Sequence, residues 1–139
     1  MYVTEWLNCL SDVRDGLAAM PTNYYIGLFS GDYTPVLTET GATIATSATE
    51  LLTEYDEATR VLYVPGAGGA VAGVNSNTAS KAVFTFNATV DVWGCFVIAD
   101  DDVKGGTTGV LVRVDRFPTM RSYDALSVLN LTIENIIAN

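Results

Sequence analysis

Asp91-Val92-Trp93-Gly94-Cys95-Phe96-Val97-Ile98-Ala99, a turn over Asp100 to Thr108, and Gly109-Val110-Leu111-Val112-Arg113-Val114-Asp115-Arg116-Phe117 decide the fold class. In the second run Leu111, Arg113 and Asp115 fall on one side of a pleat while Val110, Val112 and Val114 fall on the other. That alternation is the mark of a half-buried antiparallel strand. Working outward, Val83-Phe84-Thr85-Phe86 reads as a strand before this pair, and Ala125 to Ile137 as a long strand after it. Asn23 to Phe29 reads as a buried strand ended by Ser30-Gly31-Asp32. Residues 49–55 and 59–64 flank Asp56-Glu57-Ala58 and predict a hairpin.

One helix is predicted, over 3–19. Val3, Trp6, Leu7, Leu10, Val13 and Leu17 recur at three- and four-residue steps, Thr4 is placed to cap it, and Pro21 is placed to stop it. Its apolar stripe is expected to pack against the sheet. No second helix is available to cross over between parallel strands, and no internal repeat is present. The expected fold is therefore mainly β: an antiparallel β sandwich or barrel with one N-terminal α-helix, forming a single domain over 1–139. Residues 31–48, rich in Thr, Ser, Ala and Gly, predict an extended loop or arm, and 65–80 a Gly-rich loop.

The polar inventory narrows the function. The chain has no histidine, two lysines (Lys81, Lys104) and two cysteines (Cys9, Cys95). The usual proton shuttle and commonest metal ligand is thus missing, and two cysteines cannot make a four-thiolate zinc site. Both cysteines read as small buried hydrophobes. Net charge is −9, and residues 1–57 hold nine of the sixteen acids against Arg14 alone. Direct nucleic-acid binding is not expected, because it needs a basic footprint on the phosphates. A low charged fraction of 17% suits a protein that buries apolar surface against other chains. Glu5, Asp12 and Asp15 interrupt the first apolar stretch, so neither a signal peptide nor a membrane span is expected.

Each chemical motif has a simpler reading. Gly66-Ala67-Gly68-Gly69-Ala70-Val71-Ala72-Gly73 fails the spacing of a dinucleotide fingerprint and lacks the Gly-Lys-Ser/Thr of a phosphate loop. Asp100-Asp101-Asp102 is the best candidate for a hard cation, but its ligands do not alternate, and a solvated turn is the expected reading. Carboxylate pairs can hydrolyse glycosides, and Tyr24, Tyr25, Trp93 and Tyr123 can stack on sugars, yet no acid stands out as tuned for catalysis. The expectation is no enzyme, no catalytic or metal residues and no cofactor. Arg113, Asp115, Arg116 and Arg121 are candidates for interface ion pairs.

Read in order, the chain resembles a family of small tailed-bacteriophage virion proteins. The likeness lies in an N-terminal helix leading to Tyr24-Tyr25-Ile26-Gly27-Leu28-Phe29 and Ser30-Gly31-Asp32-Tyr33-Thr34-Pro35, then Leu52-Thr53-Glu54-Tyr55. It continues through Ala82 to Phe86, Val92-Trp93-Gly94-Cys95-Phe96-Val97, and a strand ending in Arg116-Phe117. Where the family carries a Gly-Tyr-Ala-Arg-type phrase, this chain has Asp56 to Arg60. The resemblance implies a structural virion protein, first of all a capsid decoration (cement) protein. Such a protein binds the major capsid protein, associates with itself as a trimer, and is made in the host bacterial cytoplasm. The alternatives are a tail or neck component or receptor-binding tip, and, from a different class, a carboxylate-based hydrolase of a cell-surface polymer.

Overall fold

A computed structural model describes residues 1–66 and 74–136. The elements run α1 (Thr4–Arg14), β1 (Tyr24–Phe29), α2 (Ile44–Ser47), β2 (Val61–Leu62), β3 (Val74–Ser76), β4 (Ala82–Thr85), β5 (Val90–Ala99), β6 (Val110–Tyr123), β7 (Val128–Leu131) and β8 (Glu134–Ile136). The fold is mainly β, with antiparallel pairing throughout and one N-terminal helix. The main sheet has the order β2-β1-β5-β6 and is open at β2 and β6, while β4 pairs with β7 and β3 with β8. Side chains from the main sheet, the β4–β7 pair and both helices share one core.

The centre of that core follows from two complementary cross-strand pairs. Gly27 faces Phe96 and Phe29 faces Gly94 across β1 and β5. Directly opposed residues share a face. Each ring therefore lies over the glycine of the other strand: a Cβ on Gly27 would collide with the Phe96 ring, and one on Gly94 with the Phe29 ring and the Asp115 carbonyl. Both phenylalanines are wholly buried.

β6 departs from simple alternation at two bulges. Val97 pairs with Arg113 and Ile98 with Leu111, so Val112 is the extra residue. Leu111, Val112 and Val114 are consequently all buried. Further along, Val92 pairs with Arg121 and Gly94 with Arg116, leaving Phe117 to Met120 opposite Trp93. Pro118 sits in this excursion, where no ladder hydrogen bond is asked of it. At the outer edge of β6, Tyr2 bridges Arg113, the Val3 amide donates to the Val112 carbonyl at 3.2 Å, and the Val114 amide to the Met1 carbonyl at 3.0 Å.

The helix is shorter than the predicted 3–19. It ends at Arg14 because Gly16 turns left-handed (φ 73°), with its amide on the Val13 carbonyl at 3.1 Å and that of Leu17 on Asp12 at 2.8 Å. This six-to-one and five-to-two pattern closes a helix well before Pro21. Thr4 is inside the helix instead of capping it; Val3 is the N-cap, and the Thr4 amide donates to the Leu37 carbonyl at 2.8 Å. The predicted stripe also divides: Val3 and Trp6 are buried, whereas Leu7 is 55% and Leu17 79% exposed.

Three further expectations are corrected. Residues 31–48 are not a detached arm: Ile44 and Ala48 are wholly buried, and the Gly31 amide bonds the Ala48 carbonyl at 3.0 Å. Residues 49–64 do not form a hairpin. Glu50 bridges Phe29, Tyr55 bridges Phe86, and β2 pairs with β1, so the segment is strung across other strands. The long strand over 125–137 is two strands, β7 and β8, with different partners. The break is made by the buried Asn77, whose side chain donates to the Leu131 carbonyl at 3.1 Å and accepts the Ile133 amide at 2.7 Å. The predicted Gly-rich loop over 65–80 thus includes β3 and a core residue, and 67–73 lie outside the described residues.

Candidate functional site

The most concentrated polar chemistry is internal. Arg60, 1% exposed, donates from Nε and Nη2 to the two oxygens of Glu50, each at 2.8 Å. Its Nη1 donates to the Asp101 carbonyl at 3.2 Å, and Nη2 to the Gly106 carbonyl at 3.1 Å. The Asp101 carboxylate stands 3.4 Å from Nη1, and the guanidinium lies 5.2 Å from the Phe96 ring centre. Glu50 accepts the Gly105 amide at 2.9 Å, and Asp101 accepts those of Val103, Thr108 and Gly109 at 3.1, 3.1 and 3.3 Å. Burial alone would push the Asp101 carboxyl up. The Thr108 and Val103 amides, Arg60 and the Gly109 amide outweigh burial and hold it below its ordinary value. A fork of this kind suits a permanently charged guanidinium. It ties the 50–60 segment to the turn after β5.

The acidic triplet is divided by this arrangement, and the solvated-turn reading is corrected for its middle member. Asp100 is exposed at φ 56° and accepts the amides of Thr22 and Asn23 at 3.1 and 3.0 Å. Asp101 points inward to Arg60, while Asp102 is exposed and lends only its carbonyl, to the Arg60 amide at 2.8 Å. Among the described residues no group of three or more carboxylates or thiols is placed to hold a metal.

The other candidates are also turned to the fold. Tyr24 meets Trp6 edge-on at 5.9 Å, and Tyr123 stacks on Phe86 at 4.5 Å. Tyr25 lies between Leu62 and Ile98 in the sheet. Arg116 covers Trp93 at 4.8 Å and pairs with Asp32 at 2.5 Å, and Arg113 pairs with Asp115 at 2.6 Å. Arg121 covers Phe117 at 4.8 Å. Burial, with Asp115 adding, pushes the Cys95 thiol up to about 12; Cys9 is half-buried, and both are free. A thiol so held is a packing group and not a nucleophile.

Sequence reasoning missed Glu50, Arg60, Glu5 and Glu39. Glu5 accepts the amides of Gly41 and Leu111 at 2.8 and 2.7 Å, and Glu39 accepts the hydroxyls of Tyr33 and Thr43. A lone arginine beside the apolar run Val61 to Val64 was the available signal for the first pair.

Several large apolar side chains face outward. On and after α1, Leu7, Leu10, Leu17 and Met20 are exposed; on the outer side of β4 and β7 so are Val83 and Val128. Beside them Leu126 is 84% exposed at φ 71°. A leucine gains nothing from either circumstance. No helix among the described residues is long and apolar enough to cross a membrane. No protein-family model matches this sequence, and no curated protein is significantly similar to it.

Proposed function

We propose that this chain is a structural virion protein of a tailed bacteriophage, a capsid decoration (cement) protein that binds and stabilises the major capsid shell. The observation that carries the reading is the division of its side chains. The acids Glu50 and Asp101 are consumed inside by Arg60, while large apolar groups are left outside on anchored elements. A surface of that kind suits contact with other proteins better than turnover of a small molecule. The sequence likeness over Tyr24 to Pro35 supports the virion assignment. Self-association, with a trimer favoured, is assigned to the outer face of β4–β7, where Val83, Thr85, Val128 and Asn130 carry no charge that would oppose a like copy. Repetition around a shell then multiplies modest contacts through avidity.

The test is to strip particles of this protein, add the purified chain back, and measure occupancy and heat resistance. Rebinding at hundreds of copies with restored heat resistance is expected. Failure to bind stripped shells, or a native copy number of a dozen or fewer, would move the protein to the neck or tail.

A further inference from the structure

We propose that two copies of this chain join edge to edge through β7, antiparallel about a two-fold axis at Asn130. The β4–β7 pair of one copy then continues into the β7–β4 pair of the other. The inference rests on the reading that copies meet at β4–β7, and it specifies which groups they use.

Backbone directions identify the edge. On β4 the Thr85 carbonyl accepts the Asp56 amide at 2.8 Å, and the Thr85 amide donates to Glu57 at 3.1 Å. Thr85 and, by alternation, Val83 therefore turn away from β7. The Phe86 amide donates to the Ser127 carbonyl at 2.9 Å, so Phe86, Phe84 and Ala82 turn toward it. Phe84 and Ala82 stand opposite Leu129 and Leu131. The amides and carbonyls of Val128 and Asn130 consequently point outward from the pair. Asn77 binds both Leu131 and Ile133, so Ile133 shares the direction of Leu131 and Thr132 turns outward too. β7 ends its sheet, and among the described residues nothing bonds these outward backbone groups.

Proteins blunt exposed strand edges, and this one does so at its other long strands. β1 and β5 are interior to the main sheet. The outer edge of β4 is taken by Asp56 and Glu57. That of β6 is covered by Met1 to Val3 as far as Val114, and beyond it carries Arg116, Pro118 and Arg121. β7 has none of these devices. Ala125 to Ile133 contain no charge, no proline and no glycine, and Val128, Asn130 and Thr132 are exposed.

Symmetry and charge select a second copy as the occupant. A two-fold contact sets each surface against its own image, and in a molecule at −9 that is resisted wherever acids meet. This edge brings none together. With Asn130 on the axis, Asn130 faces itself and Val128 faces Thr132 of the other copy, so every outward residue finds a complement. Val128 and Thr132 form a β-branched pair on the solvent face. Glu134 then falls opposite Leu126. An axis at Leu129 would instead set Glu134 against Asp124, and like charges directly opposite are destabilising.

The register gives the test. Opposed residues of a hydrogen-bonded pair have Cα atoms about 5.5 Å apart, within the reach of a disulfide. Asn130→Cys should oxidise to a linked dimer, which the parent, with Cys9 half-buried and Cys95 buried, should not form. Val128→Cys and Thr132→Cys should each stay unlinked alone and link when mixed. In the parent itself, amide exchange at Val128 and Asn130 should slow as the protein is concentrated, which needs no variant to fold. Asn130→Lys puts two cations on the axis and should weaken association in sedimentation by about tenfold or more. No link with Asn130→Cys, self-linking by Val128→Cys, or exchange that ignores concentration overturns the edge pairing. If Val83→Lys on the outer face dissociates the copies and the mixed pair does not link, the face carries association and the edge fails. If the links form in the expected pattern and the parent ignores stripped shells, decoration fails and the edge stands.

Discussion

At the residue scale, Arg60 is the side chain on which most depends. Replacing it by Met keeps the volume but leaves Glu50 and Asp101 buried without their cation. Breaking a buried pair in this way costs about 3–5 kcal/mol. Arg60→Met should therefore lower the urea midpoint more than any exposed substitution, and an unchanged midpoint would show that the cluster is dispensable. Asp101 adds a pH dependence whose sign is fixed. Its folded pKa lies below the unfolded one, so its stabilisation is complete above the ordinary carboxyl range of about 4 and is lost as pH falls through the folded value. The melting temperature should fall on acidification, and Asp101→Asn should flatten that fall over the same range. Tyr55 behaves oppositely. Its ring is buried against Phe84 at 5.3 Å and under Lys104 at 3.5 Å, but its hydroxyl has no partner among the described residues. Removing an unsatisfied buried hydroxyl relieves its desolvation, worth about 1 kcal/mol. Tyr55→Phe should be neutral or stabilising in the same denaturation assay.

At the scale of elements, the segment between β1 and β2 behaves as core. Deleting the centre of 36–46 removes Gly41 and Ile44, the first packed against the Gly109 carbonyl and the second wholly buried. The shortened chain should lose its cooperative melting transition, and a native-like transition would restore the arm reading. The reason the sequence misleads here is physical. Small residues that look like a solvated linker are the ones that allow close backbone approach, and a single Ile44 is too little apolar signal to reveal it. β1 and β5 were legible because each carries a run of buried side chains, and β4 and the first half of β6 because apolar and β-branched residues fill them. The ends of α1 and the division between β7 and β8 were not, because they depend on Gly16 and on the distant Asn77. Glu50, Arg60 and Asp101 are far apart in the chain, and nothing local announces that they meet. The outward leucines of α1 were hidden for a related reason: a helical stripe shows periodicity, not how much of it the sheet can cover.

At the scale of the whole molecule, stability should be graded from the centre outward. β1 and β5 are each paired along both edges and carry the interlocked Gly27, Phe29, Gly94 and Phe96. β3 and β8 share only the register from Val74 to Ser76 against Ile136 to Glu134, in a sheet of their own. Local opening free energies range from near zero at such margins to the global value in central strands. Amides of β1 and β5 should thus exchange only on global unfolding, and those of β3 and β8 by local opening at rates orders of magnitude higher. The two classes are separable by adding Arg60→Met. It should speed exchange in β1 and β5 by the factor that the urea midpoint implies, and leave β3 and β8 nearly unchanged. A uniform acceleration across all strands would mean that the small sheet opens only with the whole.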